Sequence, residues 1–121
     1  MHVDKQARDL ELDSNSAELA VEVFTMLADA TRIRLILALR AGELSVTRLA
    51  DIVEKQPAAV SQHLAKLRLA RMVTTRRQGT TVFYALADEH ALQLVTAALL
   101  QAEHTVDASP RHHATAPDPT S

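Results

Sequence analysis

Between Gln56 and Ala70 the apolar residues Val60, Leu64 and Leu67 fall at i, i+4 and i+7, the spacing that lays a single stripe along an α-helix. Pro57 suits the first position of that helix, where its missing N–H is no loss. The opposite face presents Ser61, Gln62, Ala65 and Lys66, short or hydrogen-bonding groups able to approach base edges, with His63 at the margin of the stripe. After Ala70 the period changes. Val73-Thr74-Thr75 and Thr80-Thr81-Val82-Phe83-Tyr84 are β-branched and aromatic, as strands prefer. Arg76-Arg77-Gln78-Gly79 reads as the turn between them, with two exposed charges. The pattern predicts a helix followed by a basic hairpin.

Three more helices are predicted upstream. Ala17–Ala28 takes Ser16 as its cap and Leu19, Val23, Met26 and Leu27 as its apolar face. Asp29 caps a second helix, Ala30–Ala41, ended by Gly42, with Ile33, Ile36, Leu37 and Leu39 as core positions. Ser45 caps a short third helix, Val46–Val53, and Glu54–Gln56 turns into the helix described above. A short helix, a tight turn and a second amphipathic helix make a helix-turn-helix, and the hairpin that follows is its wing.

The last helix, Asp88 to about His104, is patterned differently. Ala91, Leu92, Leu94, Val95, Ala97, Ala98, Leu99, Leu100 and Ala102 cover nearly its whole circumference. A helix apolar all round has to be buried, and a domain this small cannot wrap it. A second copy of the chain is the economical cover. The expected fold is therefore mainly α with a β-hairpin wing, a winged helix-turn-helix in the order α-α-α-α-β-β-α, paired as a homodimer through its terminal helices. Two-fold symmetry would set two reading helices about one DNA turn apart on a palindromic site.

Composition narrows the function classes. The 121 residues suit one domain. It is expected over residues 16–105, between a polar arm at 1–15 and a Pro- and His-containing tail at 106–121, both expected to be flexible. With no cysteine there is neither a disulfide framework nor a thiolate metal site. No stretch nears the ~18 consecutive apolar residues of a membrane span, and no signal peptide is visible, so a soluble cytoplasmic protein is expected. Two glycines leave no phosphate-cradling loop, and no Ser-His-Asp set falls on rigid elements, which argues against an enzyme.

Net charge is only −2, yet no acidic residue occurs from Lys55 to Ala87, where Lys55, Lys66, Arg68, Arg71, Arg76 and Arg77 are basic. Such local asymmetry is the footprint of a phosphate-binding face. The candidate DNA contacts are Ser61, Gln62, His63 and Lys66 in the major groove, Gln56 and Ala58 near its backbone edge, and Arg76 and Arg77 on phosphates through the wing. The expected partner is double-stranded operator DNA.

Four stretches taken together, LADATRIRLILAL, ELSVTRLAD, AVSQHLAKLRLARMV and RRQGTTVFYAL, resemble the ArsR/SmtB family of winged-helix metal-sensing repressors over roughly residues 17–104. The resemblance implies a repressor that sits on its operator without metal and leaves when metal binds. One metal site of the family places thiolates on the third helix. Here Ser45 and Thr47 stand at those positions, which removes the soft-metal chemistry. A second site uses the last helix, where Asp88 and His90 match its start. At its end Gln101 departs from the expected His, although His104 is present. A third pattern, from the nickel/cobalt-sensing branch, fits His90, Glu103, His104, His112 and His113, and implies those five as ligands.

Four of the six histidines lie in the final 32 residues, where the family puts its effector site. On one helix His90 and His104 would be about 21 Å apart, too far to share an ion, whereas in an antiparallel dimer the start of one helix meets the end of its partner. Imidazoles plus a carboxylate suit nickel(II) or cobalt(II), with zinc(II) as the alternative effector. Asp88 is open between helix cap and accessory ligand, and His2 is expected to be disordered, with a ligand role as the lesser reading. Two other readings stay open: a winged-helix regulator answering a non-metal effector, and a histidine-tailed metal-delivery protein whose basic helix contacts a partner.

Overall fold

The computed structural model describes residues 14–107. Among these residues five helices and a small sheet follow one another: α1 (Ser14–Leu27), α2 (Ala30–Ala38) with a 3₁₀ turn at Leu39–Ala41, β1 (Leu44–Ser45), α3 (Val46–Val53), α4 (Pro57–Leu69), β2 (Val73–Gln78), β3 (Thr81–Leu86) and α5 (His90–Asp107). This is the expected winged helix-turn-helix. The short β1, which the sequence reading lacked, joins the hairpin to make an antiparallel sheet in the order β1-β3-β2.

Local chemistry sets the boundaries. Asp29 is extended (φ −158°, ψ 127°) and its carboxylate accepts the Arg32 N–H at 3.0 Å, capping α2. Ser45 does the same for α3 through the Arg48 N–H at 3.1 Å. The end of α2 tightens to 3₁₀ geometry before Gly42, whose φ of +142° only glycine adopts freely. Glu54 and Arg71, at φ 58° and 64°, are the left-handed residues that stop α3 and α4. The Met72 N–H then returns to the Leu67 carbonyl at 2.9 Å and starts the chain into β2.

Three boundaries differ from expectation. First, α1 begins at Ser14, so Ser16 lies inside its first turn; the Ser14-Asn15-Ser16 run holds no Gly or Pro to stop the helix. Second, Arg76 and Arg77 are strand residues: the register Gln78↔Thr81 leaves Gly79-Thr80 as a two-residue loop, with Gly79 at φ +63°. Third, α5 runs from His90 to Asp107, past His104, and Asp88 lies two residues before it, accepting the His90 N–H.

The core gathers one face from each helix. Leu35, Ile36, Leu49, Val60, Leu64 and Leu67 have no exposed surface, and Leu39, Val73 and Val95 have almost none. Burial of such side chains contributes about 1.5–3 kcal/mol each, so the stripe Val60-Leu64-Leu67 fixes which face of α4 turns outward. Of the positions proposed for α2, Ile36 and Leu39 are buried, while Ile33 and Leu37 pack at the core's edge. Leu19, expected on the inner face of α1, lies outside, as do Val21 and Phe24. On α5 only Ala91 and Val95 are buried, and Leu94, Leu99, Leu100 and Val106 are exposed.

Candidate nucleic-acid interface and metal ligands

With Val60, Leu64 and Leu67 turned inward, α4 presents Ser61, Gln62 and Lys66 outward, and Gln56 and Ala58 are exposed at its N-terminus. Gln56 is the N-cap residue by backbone alone: its carbonyl accepts the Val60 N–H at 3.0 Å, and its side chain makes no capping bond. These are the groups expected to read DNA, and the fold brings them onto one face.

His63 is placed differently. It is half-buried, with Nδ1 3.3 Å from Arg32 Nη1 and 3.8 Å from Asp29 Oδ1. The Arg32 Nε–H donates to the Met26 carbonyl at 2.6 Å. The imidazole therefore meets the junction of α1 and α2 rather than the face that carries Ser61 and Gln62. The Asp29 carboxyl is held below its usual range, first by the Arg32 N–H it accepts and then by the charges of His63 and Arg32, against the opposing effect of desolvation.

On the wing Arg77 is exposed opposite Val82. Arg76 is also exposed, but its guanidinium is occupied. Nε donates to both carboxylate oxygens of Glu43 at 3.2 Å, Nη2 donates to Oε1, and Nη1 donates to Gln78 Oε1 at 3.0 Å. The group also lies 4.6 Å from the Phe83 ring centroid. The hydrogen bond from Arg76 holds the Glu43 carboxyl below its usual range, and the same bond to Glu43 raises Arg76 above its own. The expected phosphate role of Arg76 in a loop is corrected to this extent: the residue sits in a strand and is bonded to an acid. Sequence reasoning missed Glu43 because it is 33 residues away, and only the sheet brings the two together.

Metal-ligand candidates split between the two ends of α5. His90 is its first residue, and its N–H donates to Asp88 Oδ1 at 2.8 Å across the turn that leads into the helix. Glu103 and His104 are exposed near the other end. His112, His113 and His2 lie outside the described residues. Among the described residues of one chain no three His, Asp or Glu side chains group to hold an ion. The donors are of the right nitrogen and oxygen types, but the described residues of one chain do not bring three of them together. No helix among these residues is long and apolar enough to cross a membrane.

The outward face of α4 and the wing beside it define the chain as a winged helix-turn-helix of the DNA-binding kind. The arsR family of bacterial regulatory proteins matches residues 29–75. The chain is 57% identical over 95 residues to the HTH-type transcriptional regulator KmtR of Mycobacterium tuberculosis, covering 78% of this chain and 73% of that protein. It also superposes on the crystal structure of AntR, an antimony-specific transcriptional repressor, with a TM-score of 0.72 and 35% identity over 79% of this chain and 87% of that one. The solution structure of a homodimeric winged helix-turn-helix DNA-binding domain from Mycobacterium bovis aligns with a TM-score of 0.65 and 26% identity, covering 75% of this chain and 86% of that one. The chain belongs to the ArsR family of bacterial transcriptional regulators, and its relatives are regulators rather than enzymes.

Proposed function

We propose that the protein is a metal-responsive transcriptional repressor that binds a palindromic operator as a homodimer and is released by nickel(II) or cobalt(II). The observation that carries the DNA reading is the outward row Gln56, Ala58, Ser61, Gln62 and Lys66, held by the buried stripe Val60-Leu64-Leu67 beside a cationic wing. A helix with such a face fits the major groove.

Dimerisation rests on bare apolar surface. Phe24 on α1 and Leu100 on α5 are 60% and 61% exposed in one chain. Phe24, Leu94 and Ala98 line one shallow groove, while Leu92, Ala97 and Leu100 line another on a different face of α5. A second copy covers these faces, as the homodimeric relative from Mycobacterium bovis supports.

An antiparallel pairing of α5 brings His90 of one chain to Glu103 and His104 of the other. These three, joined by His112 and His113, would hold the ion. When bound, it supplies a tie of nitrogen and oxygen ligands across the dimer. The protein's part is mechanical. Because donors from both chains have to converge, the liganded dimer favours one relative placement of the two α5 helices, and through the core the two α4 helices follow. A placement that no longer matches successive major grooves loses the operator. Linkage then requires DNA to weaken metal binding by the same factor, typically ~1–3 kcal/mol.

The test is operator affinity on the region upstream of the protein's own gene, with and without nickel, cobalt and zinc. Release by nickel or cobalt and poor release by zinc supports the reading. Release by zinc alone moves the effector to the alternative zinc-responsive type. Tight binding unaffected by every metal keeps the DNA function and moves the effector to a non-metal ligand.

A further inference from the structure

The central strand of the sheet is β3, with β1 on one side and β2 on the other. Arg76 is on β2, its Cα partner Phe83 is on β3, Phe83 pairs in turn with Ser45 on β1, and Glu43 lies just before that strand. The Arg76 side chain therefore crosses the middle strand over the Phe83 ring and closes on Glu43 beyond it. Two residues later, Ser45 caps α3, the first helix of the helix-turn-helix. The bond thus ties the outer strand of the wing to the segment that launches the reading unit. Arg77, the next residue on β2, belongs to the alternate face of the pleat.

We propose that Glu43 is a positioning residue of the DNA interface: its carboxylate holds Arg76 across the sheet, fixes the wing on the helix-turn-helix, and leaves Arg77 as the cation that the hairpin offers to phosphate. Arg76 then contributes orientation rather than a phosphate contact. Four of its N–H···O contacts are already made within the chain, and its guanidinium face is covered by an aromatic ring. Two arginines adjacent in sequence thereby take different work, which composition alone does not reveal.

This inference rests on operator binding, so its test carries one readout that needs DNA and one that does not. Without DNA, hydrogen exchange of the β2 and β3 amides is followed in E43A, R76A and the double variant. Acceleration is expected in E43A and R76A, larger in R76A because it also gives up Gln78 and the Phe83 ring, with the double variant no faster than R76A, since the Glu43 bond is already broken there. Unchanged exchange in E43A and R76A overturns it. With DNA, the slope of log affinity against log salt is measured on the upstream duplex. R77A is expected to flatten the slope by about 0.9 per protomer, the loss of one phosphate contact, and R76A to leave it unchanged. E43A is expected to steepen it by freeing Arg76, and the double variant to return it to the parental value. Flattening by R76A equal to that of R77A overturns the proposal, as does steepening by E43A that survives in the R76A background. Failure of the parental protein to bind the duplex overturns the operator reading instead, and hydrogen exchange still decides the brace.

Discussion

His63 of the recognition helix faces Arg32 of α2 across 3.3 Å, Nδ1 to Nη1, and Arg32 in turn holds the last turn of α1 through the Met26 carbonyl at 2.6 Å. With Nδ1 unprotonated, the imidazole accepts the guanidinium N–H. The alternative tautomer or the cation turns the same nitrogen into a donor toward Asp29, 3.8 Å away. The reading helix is thereby joined to the α1–α2 junction by a polar contact as well as by packing.

His63→Ala is expected to lower the stability of the free protein by about 0.5–1.5 kcal/mol, the range for one hydrogen bond. Arg32→Ala is expected to cost more, because two contacts go with it. Since the His63 bond is shared, the double variant should lose less than the sum of the singles. Urea denaturation of the four proteins measures the coupling. Strict additivity would show that the two side chains do not interact.

Asp29 caps α2 and has a depressed pKa, which fixes the sign of its pH dependence. Its stabilising effect is fully present above the unfolded value near 3.8 and is lost as pH falls through the lower folded value. Asp29→Ala should cost about 1 kcal/mol at neutral pH, and Asp29→Asn less, because Asn also caps. Below pH 4 the parental protein should approach the Asn variant. Denaturation at pH 7 and pH 3 checks both statements.

Much of this architecture was legible in the sequence. The stripe Val60-Leu64-Leu67, the caps Asp29 and Ser45, and the change of period after Ala70 each have a local cause, and each reappears in the fold. What escaped depends on distant pairing. The short β1 exists because Leu44 and Ser45 find Tyr84 and Phe83, and a two-residue strand carries no period of its own. The ion pair of Glu43 with Arg76 and the contact of His63 with Arg32 join residues more than thirty positions apart. His63 looked like a groove residue because it sits at the margin of the apolar stripe, where a small rotation decides between DNA and core. The wing turn lies two residues beyond the arginines for a local reason: adjacent charges resemble a loop in sequence, but Gly79 supplies the positive φ the hairpin needs.

The apolar faces on α1 and α5 give the dimer a direct test. Phe24→Glu and Leu100→Glu should fold, since both side chains are mostly exposed in a single chain. Sedimentation should then show monomers where the parental protein is dimeric. Losing the second half-site contact should weaken operator binding by about 10²–10⁴-fold, the usual range for a tethered second site. Dimers that persist in both variants would place the interface elsewhere.

The proposed metal site makes a prediction that simple ligand removal does not. His90 and His104 stand at opposite parts of an 18-residue helix, and Glu103 accompanies His104. If the site is built across the dimer, H90A and H104A each destroy both sites of their own homodimers. Mixing the two variants produces heterodimers in which one site lacks both histidines and the other keeps both. Random exchange makes half the dimers mixed, so cobalt(II) absorption should recover to about a quarter of the parental intensity, from none in either variant alone. A site contained within one chain recovers nothing, because every chain in the mixture lacks one of its ligands. The far-UV spectra of the separate variants should match the parent, since both side chains are exposed. Recovery on mixing therefore reports the geometry of the site and not a repaired fold.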